Sequence, residues 1–211
     1  LYVGNSVEIP VKDRTLRLRI SGNYPWQEQV TLTIDSAQPV DHTLALRLPD
    51  WCANPQVLLN GGEVAQDIRK GYLHLQRRWE EGDPLPLTLP MPVRRVYGNP
   101  LLRHVAGKVA VQRGPLVYCL EQADNGEELH NLWLSPEADF TVFEGKGIFA
   151  RKMLIQAQGV KHTAEDATQQ PLWRYDQTPA SSRPQTLTFI PWFSWANRGE
   201  GEMRIWVNEE R

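Results

Sequence analysis

The first part of the chain contains a series of short runs in which apolar residues recur at every second position. Leu16, Leu18 and Ile20 are separated by arginines, and the same period of two recurs further along. Such alternation places one face of a strand in a core and the other in water. Turn-forming residues separate the runs at intervals of roughly 12 to 14 residues, which is typical of antiparallel sandwich strands. The further runs are Val30, Leu32 and Ile34; Leu44, Leu46 and Leu48; Gly71 to Leu75; and Leu85, Leu87 and Leu89.

Two short signals refine this first set of strands. Asn60, Gly61 and Gly62 follow the apolar residues Val57 to Leu59 and predict a tight turn, because Asn and Gly readily adopt positive φ. Pro86 lies within the run that ends at Leu89 and has no backbone N–H to donate. We therefore expect this strand to lie at a sheet edge or at a bulge.

The longest apolar stretch runs from Val109 to Glu121, VAVQRGPLVYCLE, just past the middle of the chain. Arg113, Gly114 and Pro115 interrupt it, and apolar alternation continues on both sides. This pattern predicts a bent strand, or two strands that meet at a bulge. We interpret the stretch as a core strand at the seam between two sandwiches.

The second half of the chain is less regular. Lys161 to Gln185 is polar and contains three prolines, so it predicts a long loop, and loops of that length are usually functional or mobile. No stretch predicts an amphipathic helix of three turns. Short strands are predicted at Leu132 to Leu134, Phe140 to Phe143, Lys152 to Ile155, Leu187 to Ile190 and Met203 to Val207.

These patterns predict an all-β fold with two consecutive antiparallel, jelly-roll-like β-sandwich domains. The segment Met91 to Pro100 contains three turn-forming residues around an arginine pair and is the candidate boundary. The first sandwich is therefore expected over residues 1–100 and the second over 101–201.

Composition narrows the class of function. The net charge is −2 and the pI is about 6.2, which argues against a nucleic-acid partner. No apolar run reaches the roughly 18 residues that a membrane span needs. No signal-peptide pattern is present, which slightly favours a cytoplasmic location. Eight Trp and sixteen Pro in a strand-rich chain favour an extracellular-type or carbohydrate-handling β protein.

Candidate catalytic groups all have a plainer interpretation. Paired carboxylates can hydrolyse glycosides, but Glu80, Glu81 and Asp83, like Glu127 and Glu128, are grouped as surface turns commonly are. Cys52 and Cys119 each follow an aromatic residue and predict buried core thiols rather than a disulfide or a nucleophile. The five His are scattered singly, and no Cys/His group has metal-ligand spacing.

The strongest local binding signal is an aromatic loop near the end of the chain. Trp192 and Trp195 flank Phe193, and Arg198 follows closely. Aromatic planes can stack on sugar rings while an arginine donates to hydroxyls, so Trp192, Trp195 and Arg198 are candidate carbohydrate-binding residues. The alternative is that these aromatics wedge one domain against another. Arg113 and Tyr118 are predicted to lie at a domain interface, with Arg113 also able to donate to a ligand.

Five segments together resemble one known family. They are YPWQEQVTLTI (Tyr24 to Ile34), LRLPDWC (Leu46 to Cys52), GYLHLQRRWEEGDPLPLTLPMPVR (Gly71 to Arg94), VAVQRGPLVYCLE, and IPWFSWANRGEGEMRIWV (Ile190 to Val207). In this order they resemble the C-terminal half of the β-L-arabinofuranosidases of glycoside hydrolase family 127. The resemblance extends from about Leu1 to Val207 and is looser between Asp124 and Gln185.

The resemblance implies that catalysis in the parent protein belongs to a domain outside this chain. In this family an (α/α)6 barrel precedes two β-sandwich regions and holds the acid/base glutamate, the cysteine nucleophile and a zinc ion. The nucleophile belongs to a Cys-Cys pair, and neither Cys52 nor Cys119 matches that motif. We therefore expect no catalytic residue, metal ligand or cofactor in this chain, which looks cut from something longer. The resemblance also implies that residues 202–211 return to complete the first sandwich.

Two functions follow from the sequence. The favoured one is a non-catalytic accessory region that braces the missing barrel and mediates dimerisation. The alternative is a carbohydrate-binding module that uses Trp192 and Trp195 to hold an arabinose-containing glycan. No nucleic acid and no membrane is expected as a partner.

Overall fold

A computed structural model describes residues 2–36, 38–59, 62–63, 67–163 and 181–209. The chain divides into two compact units, Leu1–Pro92 and Val93–Arg211. The predicted all-β fold is confirmed, because both units consist of sheets with only short helical turns between strands, and the strand pairs are antiparallel except for a parallel pair at Leu132–Leu134 and Val207–Glu209. The boundary falls after Pro92 and not after residue 100, because Val93–Tyr97 pairs with Lys108–Arg113 inside the second unit.

The first unit is a sandwich of a six-stranded and a three-stranded sheet. Its large sheet has the order β1-β2-β3-β9-β5-β6, and its small sheet has the order β4-β8-β7. The apolar members of the alternating runs point into one core; Val30, Leu73 and Leu87, for example, are almost fully buried. The strands are β1 (Asn5–Val11), β2 (Arg14–Gly22), β3 (Gln29–Ile34), β4 (Val40–Arg47), β5 (Gln56–Leu59), β6 (Gly62–Glu63), β7 (Ile68–Arg69), β8 (Tyr72–Trp79) and β9 (Pro84–Thr88).

Two predictions about the first unit have different outcomes. The edge position predicted for Pro86 is wrong for its strand, since β9 lies between β3 and β5. The pairing of β9 with β5 involves only Leu87 and Thr88, so it needs no backbone N–H from Pro86. Pro86 lies opposite Thr31 of β3 on the other side of the strand. The predicted turn at Asn60 and Gly61 lies outside the described residues, although the flanking strands β5 and β6 do pair with each other.

The second unit is one nine-stranded sheet that wraps around a core. The path β11-β18-β13-β15-β16-β12 returns to its start, because β12 also pairs with β11. Strands β10, β14 and β17 attach to this closed path. The elements are β10 (Val93–Tyr97), β11 (Lys108–Arg113), β12 (Leu116–Glu121), α1 (Gln122–Asn125), β13 (Leu132–Leu134), β14 (Thr141–Glu144), β15 (Met153–Thr163), β16 (Ser181–Pro191), β17 (Met203–Arg204) and β18 (Val207–Glu209), with 3-10 turns at Arg103–Val105, Leu129–Asn131, Gly147–Phe149 and Trp192–Ser194.

The central stretch is a hairpin within the second unit. Strands β11 and β12 pair in register, with Arg113 opposite Leu116, so Gly114 and Pro115 form a two-residue connection. Gly114 has φ of 54°, a left-handed conformation that a tight hairpin turn demands and glycine adopts at little cost. Of the two alternatives predicted for this stretch, the single bent strand is wrong and two strands are present, joined by a tight turn instead of a bulge. The stretch lies within the second unit and not at the boundary after Pro92. The prediction of a buried apolar strand is confirmed.

Two further predictions about the second unit are corrected. The loop predicted at Lys161 to Gln185 is strand at both ends, where Lys161 pairs with Arg183 and Gly159 with Gln185; residues 164–180 lie outside the described part. The return of residues 202–211 to the first sandwich is also wrong. Strand β17 pairs with β12, and β18 pairs with β11 and β13, all in the second unit.

Candidate functional site

The aromatic loop begins where β16 ends at Pro191. Trp192, Phe193 and Trp195 keep 50%, 55% and 42% of their surface exposed, whereas Ser194 between them is buried. The 3-10 turn Trp192–Ser194 produces this arrangement, since three residues per turn direct neighbouring side chains apart. The loop therefore presents three large aromatic side chains at the surface of the second unit.

Arg198 holds the end of this loop in place. Its Nε donates to Glu121 Oε2 at 3.0 Å, and its Nη1 donates to Asp124 Oδ1 at 2.8 Å. Nη2 donates to both carboxylates. The planar guanidinium thus bridges the end of β12 and the short helix α1, and two-point contacts of this kind are among the strongest hydrogen bonds in proteins.

The same arginine lies over an aromatic ring. Its Cζ is 4.8 Å from the ring centre of Phe149, within the range of a cation–π contact. Lys152 Nζ is 5.7 Å from the ring centres of both Phe149 and Phe193, and 3.3 Å from Ser194 Oγ. Two cations and two aromatic rings, Phe149 and Phe193, therefore pack together at the aromatic loop.

The electrostatics of this cluster favour a fixed, charged arginine. Its hydrogen bond with Asp124, followed by that with Glu121, raises the pKa of Arg198 above its ordinary value despite partial burial. Glu121 also accepts a hydrogen bond from the Ala196 backbone N–H at 3.1 Å, so the carboxylate connects β12 to the loop twice. We call Arg198, Glu121, Asp124, Phe149 and Lys152 the clamp.

Of the clamp residues, the sequence identifies only Arg198 as a candidate site residue. Arg198 was predicted as a ligand for sugar hydroxyls, but most of its donors are used by Glu121 and Asp124. Glu121 is 77 positions away from Arg198 in the chain, so no local pattern connects them. One signal was present: Glu121 ends an otherwise apolar strand, and a charge at such a position requires a partner when it is buried.

Tyr118 and Arg113 lie on adjacent strands of the hairpin. Tyr118 is fully buried in the core of the second unit, and its hydroxyl donates to the Met153 carbonyl at 2.9 Å. Burial raises the pKa of Tyr118 to about 12, although the neighbouring Arg113 lowers it in part. Arg113 is itself 8% exposed. The interface role of these two residues stays a prediction.

The candidate nucleophiles and acids have structural explanations. Cys52 and Cys119 are both buried, as predicted. Burial, with smaller contributions from Glu121 and Asp124, raises the pKa of Cys119 to about 12, so this thiol stays protonated near neutrality. The predicted surface turn is also present, where Asp83 accepts the Glu80 backbone N–H at 3.0 Å and pairs with Arg77 at 3.2 Å.

Within residues 2–163 and 181–209, apart from the gaps stated above, no three His, Cys, Asp or Glu side chains converge on a metal site. Across the same residues, no helix is long and apolar enough to cross a membrane.

Sequence profiles match the chain in two consecutive blocks. Residues 1–91 match the profile described as the β-L-arabinofuranosidase GH127 middle domain, and residues 93–208 match that of the glycoside hydrolase family 127 C-terminal domain. The profile boundary coincides with the division of the structure after Pro92.

Individual relatives agree with the profiles. A non-reducing end β-L-arabinofuranosidase from Bifidobacterium longum subsp. longum is 34% identical over 97% of this chain and 32% of its own length. The crystal structure of a GH127 β-L-arabinofuranosidase from Geobacillus stearothermophilus T6 is 37% identical and superposes with a TM-score of 0.88, over 100% of this chain and 33% of that one. A second solved GH127 β-arabinofuranosidase has a TM-score of 0.90 at 29% identity, over 100% of this chain and 34% of its own. The chain thus spans about a third of the length of each of these relatives.

Proposed function

The chain belongs to glycoside hydrolase family 127, and from this we propose that it is the accessory β-sandwich region of a β-L-arabinofuranosidase-like enzyme. In this role it braces an (α/α)6 catalytic barrel and takes no direct part in hydrolysis. The observation that carries the proposal is the consecutive match of residues 1–91 and 93–208 to the middle and C-terminal domain profiles.

The clamp supports a docking role for the aromatic loop. Arg198 is bonded to Glu121 and Asp124, while Trp192, Phe193 and Trp195 are exposed. Exposed aromatic side chains on a rigid support are the kind that dominate the energetics of protein–protein contacts. A surface of this type suits packing against another folded part of the parent enzyme, and also against a second copy in a homodimer.

A direct assay tests the non-catalytic role. The purified 211-residue chain is incubated with an aryl β-L-arabinofuranoside, with the full-length Bifidobacterium relative as positive control. We expect release of the aryl group by the relative and none above the buffer rate by this chain. Turnover by the chain that persists through repurification would contradict the proposal.

A carbohydrate-binding module is the second candidate function. The half-exposed rings of Trp192 and Trp195 favour it, because tryptophan planes can stack on sugars. It predicts that calorimetry detects binding of arabinose-containing oligosaccharides and that Trp192→Ala or Trp195→Ala abolishes the signal. Absence of heat at millimolar sugar would reject this candidate and leave the accessory role standing.

A further inference from the structure

The second unit contains a cavity whose lining includes no residue of the aromatic loop or the clamp. It has a volume of about 360 Å³ and forms between the loop that follows β10 and the end of β18. Ligand pockets generally start at about 300 Å³, so this cavity is large enough for a single sugar ring and too small for an oligosaccharide. The residues used below are Tyr97, Asn99, Leu102, Val105, Lys108 and Glu209.

The wall of the cavity is built by a tightly folded loop. Asn99 accepts the Leu102 N–H through its carbonyl at 2.8 Å and the Leu101 N–H through its side chain at 2.9 Å. Lys108 Nζ donates to the His104 carbonyl at 3.0 Å and closes the loop from the other end. A Cβ at Gly98 would collide with Val105, so glycine allows the loop to fold this closely. These contacts form the cavity in advance, which lowers the entropic cost of binding.

The floor is an aromatic ring with a fixed orientation. Tyr97 is 60% exposed, yet its hydroxyl donates to Glu209 Oε1 at 3.1 Å. Arg95 donates to the same oxygen at 2.7 Å, and also to the Ser135 and Ala138 carbonyls at 2.9 and 3.1 Å. The arginine thus anchors the carboxylate, and the carboxylate anchors the exposed ring.

The polar groups that line the cavity with this ring include both hydrogen-bond donors and an acceptor, and a sugar hydroxyl can pair with either kind. Lys108 has three N–H donors, of which one is directed at His104, and Asn99 carries an amide N–H₂. Glu209 offers a carboxylate acceptor beside them. Lys108 and Glu209, the two charged residues of the lining, have opposite charges, so the lining carries no net charge and offers a neutral polyol both donors and acceptors. Leu102 and Val105 supply the apolar contacts that the C–H face of a sugar needs.

We propose that this cavity binds one neutral monosaccharide unit, a pentose or hexose, stacked on Tyr97 with its hydroxyls directed to Lys108, Asn99 and Glu209. The site is distinct from the aromatic loop at Trp192 and does not depend on the accessory role proposed above. It gives the second unit a sugar-binding function within its own residues.

Ligand-observed NMR and calorimetry on the 211-residue chain test this site with three probes: methyl L-arabinofuranoside, methyl D-galactopyranoside and D-galacturonate. We expect saturable binding of at least one neutral glycoside in the millimolar range. Tyr97→Ala should weaken it about tenfold, equivalent to about 1.4 kcal/mol, whereas Tyr97→Phe keeps the ring and most of the affinity. Leu101→Ala, at an 87% exposed side chain of the same loop that is not among the residues lining the cavity, serves as the matched control and should leave the affinity unchanged.

Specific outcomes would overturn the site. They are absence of saturable binding by both neutral glycosides, affinity unchanged in Tyr97→Ala, or a preference for galacturonate over galactoside of more than about tenfold. Thermal melting of each variant checks folding. If Tyr97→Ala does not fold, Asn99→Ala, on the exposed loop, replaces it, with a several-fold loss of affinity as the expected result and no loss as the contradicting one. Hydrolysis assays are not involved, so failure here leaves the accessory role untouched.

Discussion

Arg17 and Arg198 show how differently the two units use a charged side chain. Arg17 pairs with Glu8 at 2.9 Å on the surface of the first unit, with the two side chains 57% and 65% exposed. Arg198 in the second unit pairs with Glu121, whose side chain is 4% exposed, and with Asp124 at 20%. The first pair is solvated and screened by water, whereas the second has been removed from water and depends on its partners.

The same contrast extends to the two cores. The core of the first unit combines buried leucines, valines and isoleucines with Trp79, whose indole N–H donates to the His42 carbonyl at 2.9 Å. In the second unit Glu121, Asn125, Lys161 and Arg113 are also buried. The first unit therefore depends mainly on apolar burial, which tolerates surface changes. The second depends in addition on a polar network, which fails when one member is lost.

The largest expected effect comes from removing the arginine of the clamp. Arg198→Ala leaves the buried Glu121 carboxylate without its main partner and should lower the free energy of unfolding of the second unit by about 3 to 5 kcal/mol. Hydrogen exchange of β12 and β16 amides measures this loss unit by unit. Arg198→Lys, which keeps the charge and loses the planar fork, should give an intermediate loss.

A double variant sharpens this prediction. Adding Glu121→Gln to Arg198→Ala removes both charges, so the double variant should be more stable than the sum of the losses of Arg198→Ala and Glu121→Gln predicts. Strict additivity of the two changes would show that the pair is not coupled. The coupling energy between Arg198 and Glu121 would then be no larger than the one expected for the exposed pair of Arg17 and Glu8.

The contrast also explains which features the sequence could predict. The alternation that begins at Leu16, and those at Val30 to Ile34 and Leu85 to Leu89, identify the first sandwich correctly, because a period of two is a local property of a half-buried strand. Lys161 and Arg183 are paired through backbone hydrogen bonds between two polar segments. The pattern of apolar residues carries no signal for such a pair, so the sequence did not predict it. Arg198 was singled out by its loop, but its partners Glu121 and Asp124 are brought to it by the fold.

A second polar bridge should have a smaller effect. Asn125 donates to the Glu121 and Thr188 carbonyls at 3.0 and 2.9 Å and accepts the Thr188 N–H at 2.8 Å. Asn125→Ala removes these bonds at a buried site and should cost about 2 to 3 kcal/mol in chemical denaturation. Asn131→Ala, whose side chain makes a weaker 3.4 Å contact with Glu128, is the matched control and should cost under about 0.5 kcal/mol. Equal losses would contradict the network.

The raised pKa of Cys119 should make the free energy of unfolding fall by about 1 kcal/mol at alkaline pH. Burial raises its pKa from 9.0 to about 12, so the native state favours the protonated thiol. The resulting stability is fully present below about pH 9 and is lost as the pH rises toward 12, at about 1.4 kcal/mol per pH unit. Between pH 8.5 and 10, chemical denaturation should show a loss of about 1 kcal/mol that Cys119→Ala reduces. Tyr118→Phe should keep most of that loss, because the raised pKa of Tyr118 lowers stability mainly above about pH 10. A slope unchanged in Cys119→Ala would reject the assignment.

The smallest effect is expected for the exposed pair of the first unit. Arg17→Ala removes the contact with Glu8, but both side chains are mostly hydrated, so the free energy of unfolding should change by less than about 0.5 kcal/mol. Raising the salt concentration should shrink even this difference, because exposed charges are screened. Urea denaturation of the wild-type chain and the variant at low and high salt measures both quantities. A loss comparable to that of Arg198→Ala would mean that surface charge stabilises the first unit as strongly as the clamp stabilises the second, and the contrast between the units would not hold.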